Sequence, residues 1–299
     1  MRKVDLVFIL ILFLFTFFRP EESILAKDSN LFVPFNEYSL LRPLPKRTNV
    51  LEINAESYLS FLTNKNIVLA GKDVDSKRYV ASITKLMTAV VVMENYNLDE
   101  KIAISARTVN TFSTAGELKL GESFSVRDLL YMMLIESSND AAEALSEKMG
   151  RDVFISLMNK KAIELDMKST SYFNPSGLDF QGENGNISSA NDIKKLVIYI
   201  LNNQPLIYQI LSIPEMDLYY EGVFHHKIET TNILLNESSD YIWGKTGFTD
   251  KAKQCIVLVM KAPFSNSENS YIINIVLGAD DRFKEARIME QWIKESFYW

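Results

Sequence analysis

Apolar residues recur along this chain in two rhythms, and the rhythm changes twice. The run SYLSFLTNKNIVLAG, from Ser57 to Gly71, gives two short apolar segments around a polar Asn-Lys-Asn centre, which predicts a β-hairpin. From Leu86 the spacing turns helical. LMTAVVVMEN is apolar on nearly every side, as a buried helix is. SVRDLLYMMLIESSNDAAEALSEKMG starts at a Ser N-cap and closes on Gly150, and DVFISLMNKKAIELDM continues with helical spacing. SSANDIKKLVIYILNN opens on a Ser-x-x-Asp capping box. The β rhythm then returns in YIWGKTGF, KQCIVLVMK and YIINIVLGA, rich in β-branched and aromatic residues. DRFKEARIMEQWIKESFYW closes the chain as an amphipathic helix. Strands at both ends with helices between them predict an α+β fold. The sheet is expected to be antiparallel, flanked by helices, with the terminal helix packed on it and a helical subdomain inserted.

The first residues follow neither rhythm. MRK supplies two basic residues, and an apolar run from Leu6 to Phe18 follows. That run is shorter than the ~20 residues of a bilayer span and fits the apolar part of a signal peptide. SILAK offers cleavage after Ala26. Residues 1–27 are therefore expected to be a signal peptide or an uncleaved N-terminal anchor, and the rest of the chain exported to the outer face of the membrane, the periplasm or the wall. Residues 28–49, with Pro34, Pro43 and Pro45, are expected to be a connector. Residues 50–299 are then the functional domain, and membrane contact is confined to the N-terminal segment.

Composition narrows the chemistry. Of 299 residues 47% are hydrophobic, enough for a large core, and 32 basic against 38 acidic side chains give a net charge of −6. Nucleic-acid binders are normally basic, so that class is set aside. The single cysteine, Cys255, allows no intrachain disulfide and lies in an apolar strand segment, which makes it an inert core residue. His225 and His226 are adjacent, which excludes the usual zinc spacing on one helix face. They are expected to be structural or surface residues, so a serine enzyme built on this chain needs a base other than histidine.

Ser82 and Lys85 supply one. Ser-x-x-Lys arises by chance about once in a chain this long, and Ser is a common N-cap, so the pair alone decides nothing. Lys245-Thr246-Gly247, at the end of a strand pattern, arises in about one chain in twenty. Ser-x-Asn occurs three times. Only Ser137-Ser138-Asn139 interrupts a strongly apolar helical region, where polar side chains need partners or a purpose. Ser-x-x-Lys, Ser-x-Asn and Lys-Thr-Gly, in that order, are the signature of penicillin-binding proteins and class A β-lactamases.

From about Val50 to Trp292 the chain resembles the serine D-alanyl-D-alanine carboxypeptidases, the low-molecular-weight penicillin-binding proteins of peptidase family S11. ASITKLMTA, GESFSVRDLLYMMLIESSNDAAEAL, FNPSGLD, GKTGFTDKAKQC and VLGADDRFKEA carry that resemblance. Two departures stand out: KRYVAS lacks the prolines expected before the nucleophile, and Ser138 stands where glycine is usual. The resemblance implies a β-lactamase/transpeptidase-like fold and removal of the terminal D-alanine from peptidoglycan stem pentapeptides through an acyl-enzyme, with β-lactams as inhibitors. It implies Ser82 as nucleophile, Lys85 as its base and Ser137 as proton relay. Asn139 would hold Lys85 and the substrate backbone. Lys245 and Thr246, with Gly247 beside them, would receive the peptide carboxylate. The backbone N–H groups of Ser82 and Phe248 would form the oxyanion hole. Neither metal nor organic cofactor is implied. Many relatives carry a further β-domain and a C-terminal anchor, for which the chain ends too soon.

The alternatives are a DD-endopeptidase, a β-lactamase and a catalytically silent penicillin-binding scaffold. The Glu-x-x-x-Asn element of class A β-lactamases is absent between Asn139 and Lys245. The motif side chains are all present, which disfavours the silent scaffold.

Overall fold

Alternation in the β segments builds a five-stranded antiparallel sheet. The computed structural model describes residues 43–46, 50–111, 115–179, 185–262 and 270–299. The proposed targeting segment and most of the connector lie outside the described residues. The strands are β1 (Ser57–Leu62), β2 (Ile67–Lys72), then β3 (Glu215–Tyr220) and β4 (Val223–Glu229) as a separate hairpin, and β5 (Tyr241–Thr249), β6 (Lys253–Lys261) and β7 (Tyr271–Ala279). The central sheet runs β5-β6-β7-β1-β2, so the hairpin read at Ser57–Gly71 joins the C-terminal strands edge to edge. Lys245 pairs with Val257, Val257 with Ile275, and Ile275 with Leu59. β5, which carries Lys-Thr-Gly, is an edge strand.

The two faces of the sheet divide the core. Cys255, Val257 and Val259 face the helical part of the chain, while Ile256, Leu258 and Met260 face the closing helix. That period of two is the pleat made visible. The helices are α1 (Lys85–Asn95), α2 (Val126–Leu134), α3 (Asn139–Glu147), α4 (Arg151–Glu164), α5 (Ala190–Asn203) and α6 (Arg282–Ser296), with shorter turns between them. α1 buries Leu86, Met87, Ala89, Val90, Val91 and Val92 completely or nearly so. Each large side chain among them contributes about 1.5–3 kcal/mol, which fixes α1 rigidly in the core. α6 buries Ala286, Met289 and Ile293 against the other face. Among the described residues no helix is long and apolar enough to cross a membrane.

The α+β architecture with an inserted helical part is as expected, and two local readings need refinement. The helical run from Ser125 to Gly150 is two helices: Ser125 caps α2 with a full capping box, the chain leaves the helix after Leu134, and Ser138 caps α3. At the break Ser137 adopts φ +69°, a left-handed conformation that no helix tolerates. At α5 only half of the capping box forms. Ser189 accepts from the Asp192 N–H, but the Asp192 carboxylate accepts from the Ser169 N–H and the Thr170 hydroxyl instead. Leu44 and Pro45, within the stretch read as connector, form a short antiparallel pair with Tyr298 and Phe297.

Candidate active site

Ser82 stands in a 3₁₀ turn, Ala81–Thr84, that leads directly into α1. Lys85 is the first residue of α1, one turn beyond Ser82, so both side chains leave on the same side. The turn cannot relax outward. Ala81 is held at φ +46°, and the glycine at 177 packs so tightly that an added Cβ would sit 1.9 Å from the Ala81 carbonyl oxygen.

Lys85 is completely buried, yet its amine has three partners. Nζ lies 2.8 Å from Ser82 Oγ, 2.6 Å from Asn139 Oδ1 and 2.9 Å from the Ser176 carbonyl oxygen. Burial, and then the charge of Lys245, hold its pKa well below the usual lysine range; the Asp140 carboxylate opposes them. A neutral amine has two N–H donors and one lone pair. Asn139 Oδ1 and the Ser176 carbonyl can only accept, so they take the two N–H groups. The lone pair is left for the hydroxyl of Ser82, the one partner that can donate. This arrangement can draw a proton from serine.

The opposite wall comes from the break between α2 and α3 and from the edge strand. Lys245, 1% exposed, donates to Ser137 Oγ at 2.8 Å and to the Thr246 carbonyl at 3.2 Å. Burial, reinforced by Arg282, brings its pKa down to about 7. Thr246 Oγ1 donates to Thr231 Oγ1 at 2.7 Å. Gly247 lets the strand approach the nucleophile turn: a Cβ there would meet the Ser82 nitrogen at 2.9 Å and the Val80 oxygen at 3.1 Å. Phe248 follows, 58% exposed near the end of the edge strand. Hydrogen bonds and close packing thus join Ser82, Lys85 and Asn139 in one group and Lys245, Ser137 and Thr246 in another, with Gly247 against the Ser82 nitrogen and Phe248 next to it in the strand.

Three contributors were not foreseen. Ser176 acts through its backbone carbonyl, delivered by an Asn-centred turn in which Asn174 Oδ1 accepts from the Gly177 N–H at 2.6 Å. The quoted FNPSGLD marks that turn, but a carbonyl ligand leaves no side-chain signature. Thr231 lies outside every motif. Arg282, in VLGADDRFKEA, donates to the Gly247 carbonyl at 2.5 Å and braces the edge strand from behind.

Both departures have a local reason. The residue before Ala81 is Val80, whose N–H donates to the Asn186 carbonyl at 3.3 Å, a bond proline cannot make. Ser138 has φ −53°, which does not require glycine, and its hydroxyl accepts from the Ala141 N–H at 3.0 Å as the cap of α3.

A family model described as D-alanyl-D-alanine carboxypeptidase (peptidase S11) matches residues 45–281. The chain belongs to this family. It is 32% identical over 84% of its length to a D-alanyl-D-alanine endopeptidase of Pseudomonas aeruginosa, of which it covers 82%. To a D-alanyl-D-alanine carboxypeptidase of Bacillus subtilis it is 30% identical over 78% of its length, covering 60% of that protein. Among solved structures, penicillin-binding protein D2 of Listeria monocytogenes in its ampicillin-bound form superposes with a TM-score of 0.68 at 27% identity. That match covers 83% of this chain and 98% of the other. As an S11 family member the chain is a serine-type peptidase of the penicillin-binding class.

Proposed function

We propose that Ser82 is the nucleophile of a DD-peptidase that removes the terminal D-alanine from peptidoglycan stem pentapeptides. The observation that carries this is the Lys85 amine, buried, depressed in pKa and aimed at Ser82 Oγ with its other two valences occupied. Ser82 Oγ attacks the carbonyl of the penultimate D-alanine as its proton passes to Lys85. The Ser82 and Phe248 N–H groups receive the oxyanion. The C–N bond then breaks, and the departing D-alanine amine takes its proton through Ser137, which is held by Lys245. Water hydrolyses the remaining ester. Lys245 and Thr246 receive the terminal carboxylate of the substrate, and a free edge strand suits an extended peptide laid beside it. A strained β-lactam amide acylates the same serine, and its tethered leaving group stays in place.

Release of D-alanine from a pentapeptide ending in D-Ala-D-Ala tests the reading. Turnover by the parent and none by Ser82→Ala supports it; no release by the parent overturns the carboxypeptidase assignment. A cross-linked muropeptide belongs in the same assay, because the Pseudomonas aeruginosa relative is named an endopeptidase. Cleavage of the cross-link alone would favour that second reading.

Gly247→Ala is expected to slow acylation by a fluorescent penicillin about 10²-fold while the chain stays folded. Its Cβ would push the edge strand off the Ser82 nitrogen by a fraction of an ångström, and small misplacements in a reacting constellation cost this much. An unchanged rate would remove the Phe248 N–H from the oxyanion hole.

The same reading makes residues 1–27 a targeting signal or anchor, 28–49 a connector and 50–299 the exported catalytic domain. A chain lacking residues 1–27 is expected to be soluble and acylated at the parent's rate, since it keeps Leu44 and Pro45 for their pairing with the C-terminal strand. Loss of acylation in that truncated chain would contradict the boundary.

A further inference from the structure

The only two histidines of the chain take no part in the reaction above, yet they are placed with care. They stand side by side on β4 within a line of four titratable groups. His225 Nδ1 lies 2.6 Å from His226 Nδ1. His226 Nε2 lies 3.2 Å from Glu136 Oε1, and His225 Nε2 lies 3.4 Å from Glu122 Oε1. The side chains are 7% and 9% exposed for the rings, and 10% and 13% for Glu136 and Glu122.

Counting protons fixes the charge. Two ring nitrogens at 2.6 Å need one proton between them. Each Nε2 that faces a carboxylate needs a proton of its own, so the line calls for three. Two neutral imidazoles carry only two. With two, the Nδ1 contact and the His226–Glu136 bond are both made, and His225 Nε2 turns a buried lone pair toward the Glu122 carboxylate at 3.4 Å, a repulsion that a third proton converts into an ion pair. With three, each carboxylate faces an N–H.

The line ends beside the cleft. Glu136 precedes Ser137, whose left-handed φ of +69° persists only where its surroundings hold it. Two contacts tie this turn to β4 and the residues just after it: His226 to Glu136, and the Thr231 N–H to the Ile135 carbonyl at 3.2 Å. Thr231 also accepts from Thr246, and Lys245 donates to Ser137. The segment from His226 to Thr231 therefore links the Ser137 turn to the edge strand.

We propose that His225 and His226 together hold one positive charge between Glu122 and Glu136, and that this pair is a positioning element for Ser137. Its charge stands on the geometry alone, while its effect on rate rests on the DD-peptidase reading. Among the described residues the charged groups acting on His226 are acidic, Glu136 in the turn, Glu117 before α2 and Asp140 on α3, and Glu122 faces His225. Lys227, the next residue on β4, pairs instead with Glu215 and Glu229. Lys245 is the cation on the other side of Ser137. The hydrogen bond to Glu136 raises the pKa of His226; burial opposes it, and the charges of Glu136, Glu117 and Asp140 add to the rise. A raised pKa means that both carboxylates face an N–H at low pH; as pH rises through the titration of His226, one Nε2 proton remains for the two carboxylates and the tether to Glu136 is weakened.

Full-length protein labelled with ¹⁵N-histidine reports this pair and nothing else. At about pH 6, below the ordinary histidine pKa, three of the four ring nitrogens are expected to carry protons, and one proton should leave at a pH above roughly 6.5. Two neutral rings, or two doubly protonated ones, at that lower pH would overturn the shared charge. In Glu136→Gln the titration should move to lower pH, and an unmoved curve would contradict the assignment. For the coupling to Ser137, the readout is the ratio of parent to His226→Gln acylation rates by a fluorescent penicillin. The parent should be about tenfold faster at low pH, with the ratio falling as His226 titrates. A ratio constant with pH would make His226 merely structural. If the parent forms no adduct at all, the DD-peptidase reading fails, and the nitrogen spectra still decide the charge.

Discussion

Lys85→Arg is expected to acylate about 10²–10⁴-fold more slowly than the parent, the usual cost of losing a positioned general base. Arginine keeps the charge and approximate reach, but it cannot give up its proton in a protein, so it offers Ser82 no lone pair. The site also has no room to tune it. Lys85 is fully buried, and its amine already touches Ser82, Asn139 and the Ser176 carbonyl. The competing view, in which Lys85 serves only as a fixed positive charge, expects the Lys85→Arg protein to keep much of the activity. Circular dichroism and the melting temperature separate a chemical loss from a folding one. A folded Lys85→Arg protein acylating within tenfold of the parent would refute the neutral-lysine mechanism.

Lys245→Met should produce the second large effect, and in two separable ways. Removing the amine takes away the partner of Ser137 Oγ and the receptor for the substrate carboxylate. A hydrogen bond to a charged group is worth roughly 1.5–3 kcal/mol, so kcat/KM for carboxylate-bearing substrates should fall about 10–10²-fold. The pH profile should move as well. The charge of Lys245 helps to depress the pKa of Lys85, so its removal lets that pKa rise. Acylation grows with pH as Lys85 becomes neutral, and this ascending limb is expected at higher pH in Lys245→Met. The shift should be clearest below about pH 7, where the Lys245 of the parent is charged. A limb that stays in place would mean that Lys85 does not feel Lys245.

The five strands of the central sheet, the Ser125 and Ser189 caps and the closing helix were legible because each rests on spacing within one short segment, whereas the β3–β4 hairpin was not read. The three motifs were legible because their chemistry needs particular side chains at fixed offsets. The break between α2 and α3 was not, since both halves are amphipathic and the apolar pattern runs on through Ile135. What ends α2 is a backbone conformation at Ser137, held by contacts distant in sequence. Ser176 escaped for a different reason: any residue offers a carbonyl, and only the turn around Asn174 aims this one at Lys85. Thr231 and Arg282 act on the edge strand through single tertiary contacts that no local pattern encodes. The histidines, read as structural or surface residues, are buried between two glutamates, a placement that comes from packing β4 against the helical part.

The central claim is that Ser82 carries the acyl group, and intact mass after incubation with a penicillin tests it most directly. The account predicts a single adduct on the parent, located by peptide mapping to the segment containing Ser82, and no adduct on Ser82→Ala. An adduct that persists on Ser82→Ala, or one that maps to another residue, would contradict it.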